Sequence, residues 1–357
     1  MRERYLLRGN EAIAESAIRA GCQCYFAYPI TPQGELVEHM ARNMPRLGRT
    51  FIQAESEVAA INMVYGAAAA GVRTMTSSSS PGISLKQEGI SYLAGANLPA
   101  VIVNVVRGGP GLGNIAPSQC DYFQAVKGGG HGDYHMIVLG PSTVPEAGEL
   151  TMLAFDLADR YRNPACVLAD GFIGQMMEAV EVPKAKPVPY DHTAWCVRGD
   201  AATRANLVSS IVLDPAELER HNLKLAGKYR ECEAKEVRFE EYQTADADLV
   251  VVAYGIVSRI VYSTVDEARA RGLKVGLLRP ITLWPFPTAR LAELVGSASA
   301  FLSVELSTGQ MVEDVRLAVN GRRPVHFYGR CGGMVPTGDE IVAQYEQILK
   351  GARHEGH

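Results

Sequence analysis

The sequence predicts an α/β protein with two lobes, of which the first is the larger. Two observations indicate this class. Short apolar segments typical of buried strands alternate with helical segments through residues 10–170, and the alternation resumes at residue 248 after a break. Such alternation is the signature of a parallel sheet covered by helices on both faces. With a length of 357 residues, the break predicts a first domain over 1–185, a connector over 186–245 and a second domain over 246–357.

Each element of the first domain follows from local pattern. The predicted strands are residues 22–28, a segment beginning at residue 51, 72–75, 98–106, 136–139 and 165–169; the predicted helices are 10–20, 35–43, the alanine-rich stretch before Gly71, 83–94 and 144–161. Asn10 is expected to cap the first helix. Thr31 and Pro32 are expected to be the N-cap and first residue of the second helix.

The connector and second domain are assigned in the same way. Three prolines open the connector, and its charged stretch 217–241 has a weak helical period that predicts a helix on the surface of the fold. The second domain has predicted strands at 248–253, 274–279, 300–305 and 324–328, and predicted helices at 257–271, 310–320 and 339–350.

Composition excludes several classes of protein. A hydrophobic content of 47% fills ordinary cores, and a net charge of −4 with 21% charged residues does not indicate nucleic-acid binding. No apolar stretch reaches the length of a membrane span, and the apolar run at the amino terminus is too short for a signal peptide. A cytoplasmic location is the expectation.

The spacing of the cysteines does not indicate a disulfide framework or a metal site. The seven cysteines include no CxxC pair. Their scattered spacing argues against disulfides and against an iron–sulfur or zinc site within this chain.

The stretch around which the chain is organised contains two acids, Glu55 and Glu57, between an apolar strand and an alanine-rich helix. One interpretation is that both acids simply decorate a helix N-terminus, where negative charge is stabilised by about 0.3–1 kcal/mol. The other is that one of them serves a ligand, because the small residues of the helix let another backbone approach closely.

Three further motifs follow predicted strands, and in α/β sheets ligands bind at the carboxyl ends of strands. They are Tyr28-Pro-Ile-Thr-Pro32, the hydroxyl-rich segment 76–82, and Arg107 with the glycine-rich loop 108–113. Arg107 can pair with a surface acid, or it can hold a substrate carboxylate with its guanidinium fork. The loop 127–135, with two histidines among glycines, is better explained as a contact loop than as a metal site. The turn at Gly332-Gly333 could hold a ligand, but it is better explained as a connection between a strand and a helix.

These residues together carry a family resemblance. The motifs at 28–32, 55–57, 76–82 and 106–111, in this order, resemble the α subunit of the 2-oxoacid:ferredoxin oxidoreductases over essentially the whole chain. The runs 9–14 and 128–133 are most similar to the branched-chain (3-methyl-2-oxobutanoate, or 2-oxoisovalerate) member. The second domain is similar to a transketolase C-terminal domain.

The resemblance implies a cofactor and roles for named residues. The family uses thiamine diphosphate, and its α subunit supplies the pyrimidine-binding domain. Glu57 matches the glutamate that hydrogen-bonds the pyrimidine ring and drives cofactor activation. The turn residues Tyr28, Pro29 and Ile30 are expected beside the cofactor. Thr31 and Arg107 match the residues that contact the 2-oxoacid, with Arg107 on its carboxylate.

The resemblance also implies partners. A Gly-Asp-Gly motif with a downstream asparagine, which binds diphosphate and Mg²⁺ in thiamine enzymes, is absent; Ala169-Asp170-Gly171 is the nearest match. No metal ligand is therefore expected in this chain. A β subunit is expected to supply the diphosphate and Mg²⁺ site and a [4Fe-4S] cluster, with small γ and ferredoxin-like δ subunits, and with coenzyme A and ferredoxin as reactants. No membrane partner is expected.

Alternatives remain open at this point. One alternative is the E1 β subunit of 2-oxoacid dehydrogenase complexes, which has the same domain order and transfers its acyl group to lipoamide. The other is a non-catalytic binding protein that only retains the fold. The substrate is a further choice. No lysine or arginine occurs after Thr31 until Arg42, which favours an apolar side chain over the distal carboxylate of 2-oxoglutarate; phenylglyoxylate also remains open. A cation supplied by Lys86, by Lys127 or by another subunit would change this expectation.

Overall fold

The computed structural model describes residues 4–182, 184–185, 188 and 190–354. Within them, the strands are β1 (Arg4–Arg8), β2 (Cys24–Ala27), β3 (Thr50–Gln53), β4 (Thr74–Ser78), β5 (Ala100–Val106), β6 (Ile137–Leu139), β7 (Pro164–Asp170), β8 (Met177–Glu181), β9 (Phe239–Tyr242), β10 (Leu249–Val252), β11 (Val275–Pro280), β12 (Thr282–Trp284), β13 (Ala300–Glu305) and β14 (Val325–Gly329). The α-helices are α1 (Gly9–Arg19), α2 (Gly34–Asn43), α3 (Glu57–Ala69), α4 (Pro81–Gly95), α5 (Val144–Tyr161), α6 (Gly171–Gln175), α7 (Pro215–Lys235), α8 (Gly255–Ala270), α9 (Thr288–Leu294), α10 (Met311–Val319) and α11 (Gly338–His354).

The larger sheet has the strand order β12-β6-β7-β5-β4-β2-β3. Its strands are parallel except for β12, which pairs antiparallel with β6. Strands β5 and β7 are buried along their whole length, as expected for strands covered by helices on both faces. Because neighbouring strands run in the same direction, the carboxyl ends of β5, β4, β2 and β3 lie side by side at one edge of the sheet.

The smaller sheet has the order β14-β13-β10-β11-β9, with only the edge strand β9 antiparallel. Helix α8 and helix α11 pack on each other over this sheet, and their apolar faces form a core with Val261, Val265 and Tyr345 at its centre. These two sheets confirm the predicted α/β class. The exact domain boundaries at residues 185 and 245 stay a prediction.

The two lobes are tied together by backbone and side-chain contacts. β12 belongs by sequence to the second lobe but adds a strand to the first sheet. Gln119 lies between them, since its amide nitrogen donates to the Tyr254 carbonyl at 2.9 Å and its amide oxygen accepts from the Leu306 N–H at 3.0 Å. Arg279 of β11 donates to both carboxylate oxygens of Glu146 in α5, at 2.7 and 3.0 Å. Because these contacts are buried or half-buried, they hold the lobes in one arrangement.

Two predicted helix starts are wrong. Helix α1 begins at Gly9, and the Asn10 side chain, instead of capping it, donates to the Pro32 carbonyl at 2.8 Å. Gln175 donates to the same carbonyl at 2.8 Å. Since the Pro32 carbonyl is occupied by these tertiary contacts, α2 starts two residues later, with Gln33 at its N-cap instead of Thr31.

The predicted bounds of β4 and the loop after it are also wrong. Ser77 and Ser78, assigned to a ligand-facing loop, form the end of the strand and are fully buried. The pairing of β1 with β8, and strands β9 and β12, were not anticipated from the sequence. The connector helix is found as α7, and it is exposed along most of its length.

Among the described residues, none of the helices combines the length and the apolar character that crossing a membrane requires.

Candidate functional site

The candidate site lies where β2, β3, β4 and β5 end. Each strand is followed by one of the motifs singled out in the sequence: the turn after β2, the two acids after β3, the serines after β4 and Arg107 after β5. Since these strands are neighbours in the sheet, the fold brings the four motifs together at one edge. This is the edge at which parallel α/β sheets place their ligands.

The two acids have different environments. Ser56 is the N-cap of α3, and its hydroxyl accepts a hydrogen bond from the Ala59 N–H at 3.1 Å. Glu57 is therefore the first residue of the helix and is 6% exposed, whereas Glu55 precedes the cap and is exposed. Among the described residues, none donates a hydrogen bond to the Glu57 carboxylate. A buried carboxylate in that state needs a partner from outside the chain.

Gly82, in the first turn of α4, gives the Glu57 side chain its space. A Cβ atom at position 82 would lie 2.6 Å from Glu57 Oε1 and 2.1 Å from Ser78 Oγ. A methyl group at position 82 would therefore force the Ser78 hydroxyl and the Glu57 carboxylate to move. Ser78 Oγ and the neighbouring Ser79 Oγ are buried without a hydrogen-bond partner.

Arg107 and Thr31, predicted from different motifs, are in contact. Arg107 is 6% exposed, and its Nη1 donates to the Thr31 carbonyl at 3.0 Å while its Nη2 donates to the Leu112 carbonyl at 3.0 Å. Its Nε is buried and has no partner. The guanidinium thus supports the turn after β2 and the loop after β5, and it retains donors that a ligand can use.

The backbone at Ser80 is fixed by the same strand. Ser80 has φ of 25°, a sparsely populated conformation for a residue with a side chain. Its N–H donates to Asn104 Oδ1 at 3.1 Å, and its hydroxyl bonds both the N–H and the carbonyl of Arg107, at 3.0 and 3.2 Å. These contacts to β5 hold the strained turn in place.

The turn after β2 presents its residues to the surface. Tyr28 is 39% exposed, Pro29 and Thr31 are exposed, and Ile30 is half-buried. The structure therefore brings Glu57, Thr31 and Arg107 to one edge of the sheet and leaves the turn accessible from outside the chain.

A buried polar network underlies the site. Lys86 is fully buried, and its Nζ donates to Thr76 Oγ1 at 2.6 Å and to the Ser77 carbonyl at 2.9 Å. The Ser77 hydroxyl bonds the side chains of Gln33 and Tyr25, the latter at 2.5 Å. Sequence reasoning did not find Gln33, and it considered Lys86 only as a cation for a substrate. The available signal for a buried Lys86 was its position in α4 on the same helical face as the apolar residues Ile83 and Ile90.

The other lysine considered for a substrate, Lys127, forms an ion pair with Asp314 of the second lobe. In the same loop, the His135 ring stacks on Trp284 with centroids 4.6 Å apart, and burial lowers the pKa of His135. The loop 127–135 thus makes contacts between the lobes.

Asp170, the nearest match to a diphosphate-binding motif, is used within the chain. Its Oδ1 accepts from the Ile173 N–H at 3.0 Å and its Oδ2 from the Ile256 N–H at 2.8 Å. Burial raises the pKa of Asp170 to about 6, although the backbone hydrogen bonds oppose the shift. The carboxylate caps α6 and joins it to α8. Within the described parts of the chain, no group of three or more His, Cys, Asp or Glu side chains is arranged to hold a metal ion.

A cleft of about 700 Å³ opens beside Arg107 between the two lobes. Its walls are the loop 109–111, the turn 80–84, Cys120 with Asp121, and residues 307–310 and 331–332 of the second lobe. Burial raises the pKa of the Cys120 thiol, which donates to the Arg107 carbonyl at 3.4 Å.

Comparison with known proteins identifies the family. The family described as "Pyruvate flavodoxin/ferredoxin oxidoreductase, thiamine diP-bdg" matches residues 15–241, and "Pyruvate:ferredoxin oxidoreductase core domain II" matches residues 247–341. The chain is 55% identical to the ketoisovalerate oxidoreductase subunit VorB of Methanothermobacter marburgensis, over 96% of this chain and 97% of that one. It is 36% identical to the 2-oxoglutarate synthase subunit KorA of the same organism, over 96% and 98% of the two chains.

Two solved structures have the same fold as this chain. The 2-oxoglutarate:ferredoxin oxidoreductase from Magnetococcus marinus, solved with 2-oxoglutarate, coenzyme A and succinyl-CoA bound, superposes with a TM-score of 0.88 at 26% identity. That match covers 97% of this chain, which spans 65% of the length of the other. A split-gene transketolase shares the fold alone, with a TM-score of 0.58 at 12% identity over 96% and 97% of the two chains. The chain belongs to the thiamine-diphosphate-dependent 2-oxoacid oxidoreductase family, and within it is similar to the branched-chain, ketoisovalerate-type subunits.

Proposed function

We propose that this chain is the α subunit of a multi-subunit 2-oxoacid:ferredoxin oxidoreductase. The reaction converts a 2-oxoacid, coenzyme A and oxidised ferredoxin into an acyl-CoA, CO₂ and reduced ferredoxin, with two electrons passing to ferredoxin for each CO₂ released. A branched-chain 2-oxoacid is the favoured substrate. The observation that carries the proposal is the Glu57 side chain, which is 6% exposed at the ligand-binding edge of the sheet and has no hydrogen-bond partner among the described residues.

The residues present fit one half of thiamine diphosphate. A buried carboxylate without a partner suits the ring nitrogen of the aminopyrimidine. The lack of a side chain at Gly82 leaves room for this carboxylate beside the first turn of α4. When bound, the cofactor would supply a carbon nucleophile for the 2-oxo group and a sink for the electrons left by loss of CO₂. Glu57 would hold the pyrimidine through a buried, charged hydrogen bond and would assist the transfer of the ring proton.

Arg107 and Thr31 are proposed to bind the substrate. The Arg107 guanidinium already fixes the turn through the Thr31 carbonyl, so a 2-oxoacid carboxylate bound by its remaining donors would lie next to Thr31. Charge-assisted hydrogen bonds of this type are the stronger ones in proteins. Tyr28, Pro29 and Ile30 are proposed to line the cofactor on the exposed side of the turn.

The other half of the cofactor site is proposed to come from a β subunit. Asp170 is engaged in capping two helices, so it is not free to bind Mg²⁺. Around Glu57 the apolar residues Tyr28, Ile52 and Val58 are 39%, 41% and 44% exposed, which suits a surface covered by another chain. We expect that subunit to carry the diphosphate and Mg²⁺ site and a [4Fe-4S] cluster, with γ and ferredoxin-like δ subunits in the complex. A cytoplasmic location is part of the same proposal.

The cleft beside Arg107 is proposed to admit coenzyme A. It leads from the surface between the lobes to the loop that holds Arg107, and its volume of about 700 Å³ suits the narrow thiol-bearing arm of that molecule. Its walls carry hydroxyl groups and backbone rather than fixed charge, apart from Asp121.

The branched-chain preference rests on the cations near the site. A distal carboxylate, as in 2-oxoglutarate, needs a buried cation of its own. Lys86 is enclosed beneath the site and Lys127 is paired with Asp314, so neither is placed to bind a second carboxylate. Similarity to ketoisovalerate subunits at 55% identity, against 36% for a 2-oxoglutarate synthase subunit, points the same way.

A substrate panel tests the proposal. We expect the reconstituted complex to use 2-oxoisovalerate best by kcat/KM, to discriminate against pyruvate and phenylglyoxylate by about 10- to 200-fold per mismatched group, and to reject 2-oxoglutarate. A preference for 2-oxoglutarate would overturn the substrate assignment. An E1 β subunit would instead copurify with lipoamide-dependent partners and without an iron–sulfur subunit.

A further inference from the structure

Lys86 is buried without an acid in contact. It is fully buried in α4, and Thr76 Oγ1 and the Ser77 carbonyl accept from two of its three ammonium protons. Among the described residues, no carboxylate lies within ion-pair distance of its Nζ. A buried ammonium group is strongly unfavourable unless another charge compensates it. The position of Lys86 therefore calls for a charge nearby.

Glu57 supplies that charge. Gly82 and Lys86 are four residues apart in α4, so they lie on the same face of the helix. A Cβ atom at Gly82 would lie 2.6 Å from Glu57 Oε1, so the carboxylate lies close to that face. Burial lowers the pKa of Lys86 to about 7, while the negative charge of Glu57 acts in the opposite direction. The positive charge of Lys86 and the negative charge of Glu57 attract each other.

The remaining groups around Lys86 do not take this role. Tyr25, which reaches the network through the Ser77 hydroxyl, stays neutral because burial raises its pKa. Thr76 and Ser77 offer only neutral oxygens to the ammonium group. Glu57 is the acid whose charge acts on Lys86.

We propose that Lys86 is a positioning residue for the reaction: its buried positive charge attracts the Glu57 carboxylate and holds it in place for the pyrimidine of the cofactor, and its two hydrogen bonds fix the end of β4 beside that carboxylate. The inference deepens the proposed function and rests on it, because it assigns Lys86 to the same site. Lys86 touches neither cofactor nor substrate in this role, so it acts through Glu57.

The test is the affinity of the complex for thiamine diphosphate as a function of pH, measured by calorimetry with Mg²⁺ present. In Lys86→Met the affinity at about pH 6 should be about 10- to 100-fold weaker than in wild type, the scale of one hydrogen bond to a charged group. Wild-type Lys86 itself loses its proton as the pH rises through about 7. The difference between the two proteins should therefore shrink towards about pH 9.

Lys228→Met is the matched control. Lys228 is half-buried, its pKa is likewise lowered by burial to about 7, and it donates to Asn97 Oδ1 and the Arg162 carbonyl. Residues 97 and 162 precede β5 and β7, at the opposite edge of the sheet from Glu57. Loss of this lysine should leave both the cofactor affinity and its pH dependence unchanged.

Further variants separate the outcomes. In a Glu57→Gln background, Lys86→Met should cause no additional loss of affinity, because the carboxylate that it serves is gone. If Glu57→Gln itself leaves binding unchanged, the proposed function fails. If Glu57→Gln weakens binding but Lys86→Met does not, or weakens it equally at every pH, the positioning role is wrong. Should Lys86→Met not assemble, Thr76→Val removes one of its acceptors and must shift the same pH dependence in the same direction.

Discussion

Replacing Glu57 by glutamine tests the role of the carboxylate while keeping its shape. Glu57 is 6% exposed and accepts no hydrogen bond from the described residues, so the substitution breaks no hydrogen bond among them and removes only the charge that acts on Lys86. We therefore expect Glu57→Gln to fold and to assemble with its partners. The loss falls on the one contact that the carboxylate makes from outside, to the cofactor.

The expected magnitude follows from the burial. One preorganised hydrogen bond to a developing charge in a site that excludes water is worth about 10²–10³ in rate. None of the residues that the structure describes donates a hydrogen bond to this carboxylate, so the full effect should appear. The assay is the rate of ferredoxin reduction by the reconstituted complex with 2-oxoisovalerate, together with the rate of proton exchange at the reactive carbon of the cofactor. Both rates should fall by this factor.

Glu55→Gln is the matched control, two residues away. Glu55 is exposed and precedes the helix cap, so its loss should change the rates by less than about twofold, in line with surface substitutions within about 0.5 kcal/mol. Equal and mild effects of the two substitutions would refute the assignment of Glu57. A large effect of Glu55→Gln alone would move the role to that residue.

Other substitutions have distinct expected outcomes. Arg107→Lys cannot bond two carbonyls and a carboxylate at once, so kcat/KM in the complex should fall by about 10- to 100-fold through KM; an unchanged KM would contradict substrate binding there. Gly82→Ala puts a methyl group 2.6 Å from Glu57 Oε1 and should weaken cofactor binding, whereas Gly66→Ala in α3, with nothing within 4 Å, should leave binding unchanged and raise the melting temperature of the isolated chain. The contact with Asp159 raises the pKa of His192 in the folded protein. The contribution of this contact to stability is therefore complete below about pH 6.5, the usual histidine pKa, and is lost as the pH rises through the raised pKa. The difference in unfolding free energy between wild type and His192→Gln should shrink as the pH rises through that range, and a difference that grows would contradict the contact.

The sequence was informative where local signals agree with the fold. Helix α5 is found at its predicted bounds, because Thr143 caps it and Pro145 suits its first turn. β13 is likewise found at residues 300–305, as its apolar run predicts. The four motifs of the site could be ordered along the chain, and the parallel sheet then explains why they meet.

Sequence reasoning failed where distant residues decide the outcome. The Pro32 carbonyl is held by Asn10 and Gln175, so the start of α2 depends on side chains far away in the chain. Ser77 and Ser78 have the composition of a loop, yet they form the end of β4 because Lys86 and Gln33 satisfy the polar groups of Ser77 in the interior. No local pattern reports such partners. For the same reason the sequence offers Lys86 only as one of the cations that could reach a substrate, and not as a buried group whose charge acts on Glu57.

The most direct measurement of the central claim is calorimetry of thiamine diphosphate, with Mg²⁺, against this chain alone and against the chain combined with its β subunit. The account predicts weak or undetectable binding to the isolated chain, no iron–sulfur absorbance in it, and tight binding only in the complex, because Glu57 can hold the pyrimidine but Asp170 is committed to capping α6 and α8. Tight, magnesium-dependent binding to this chain by itself would contradict a cofactor site divided between two subunits.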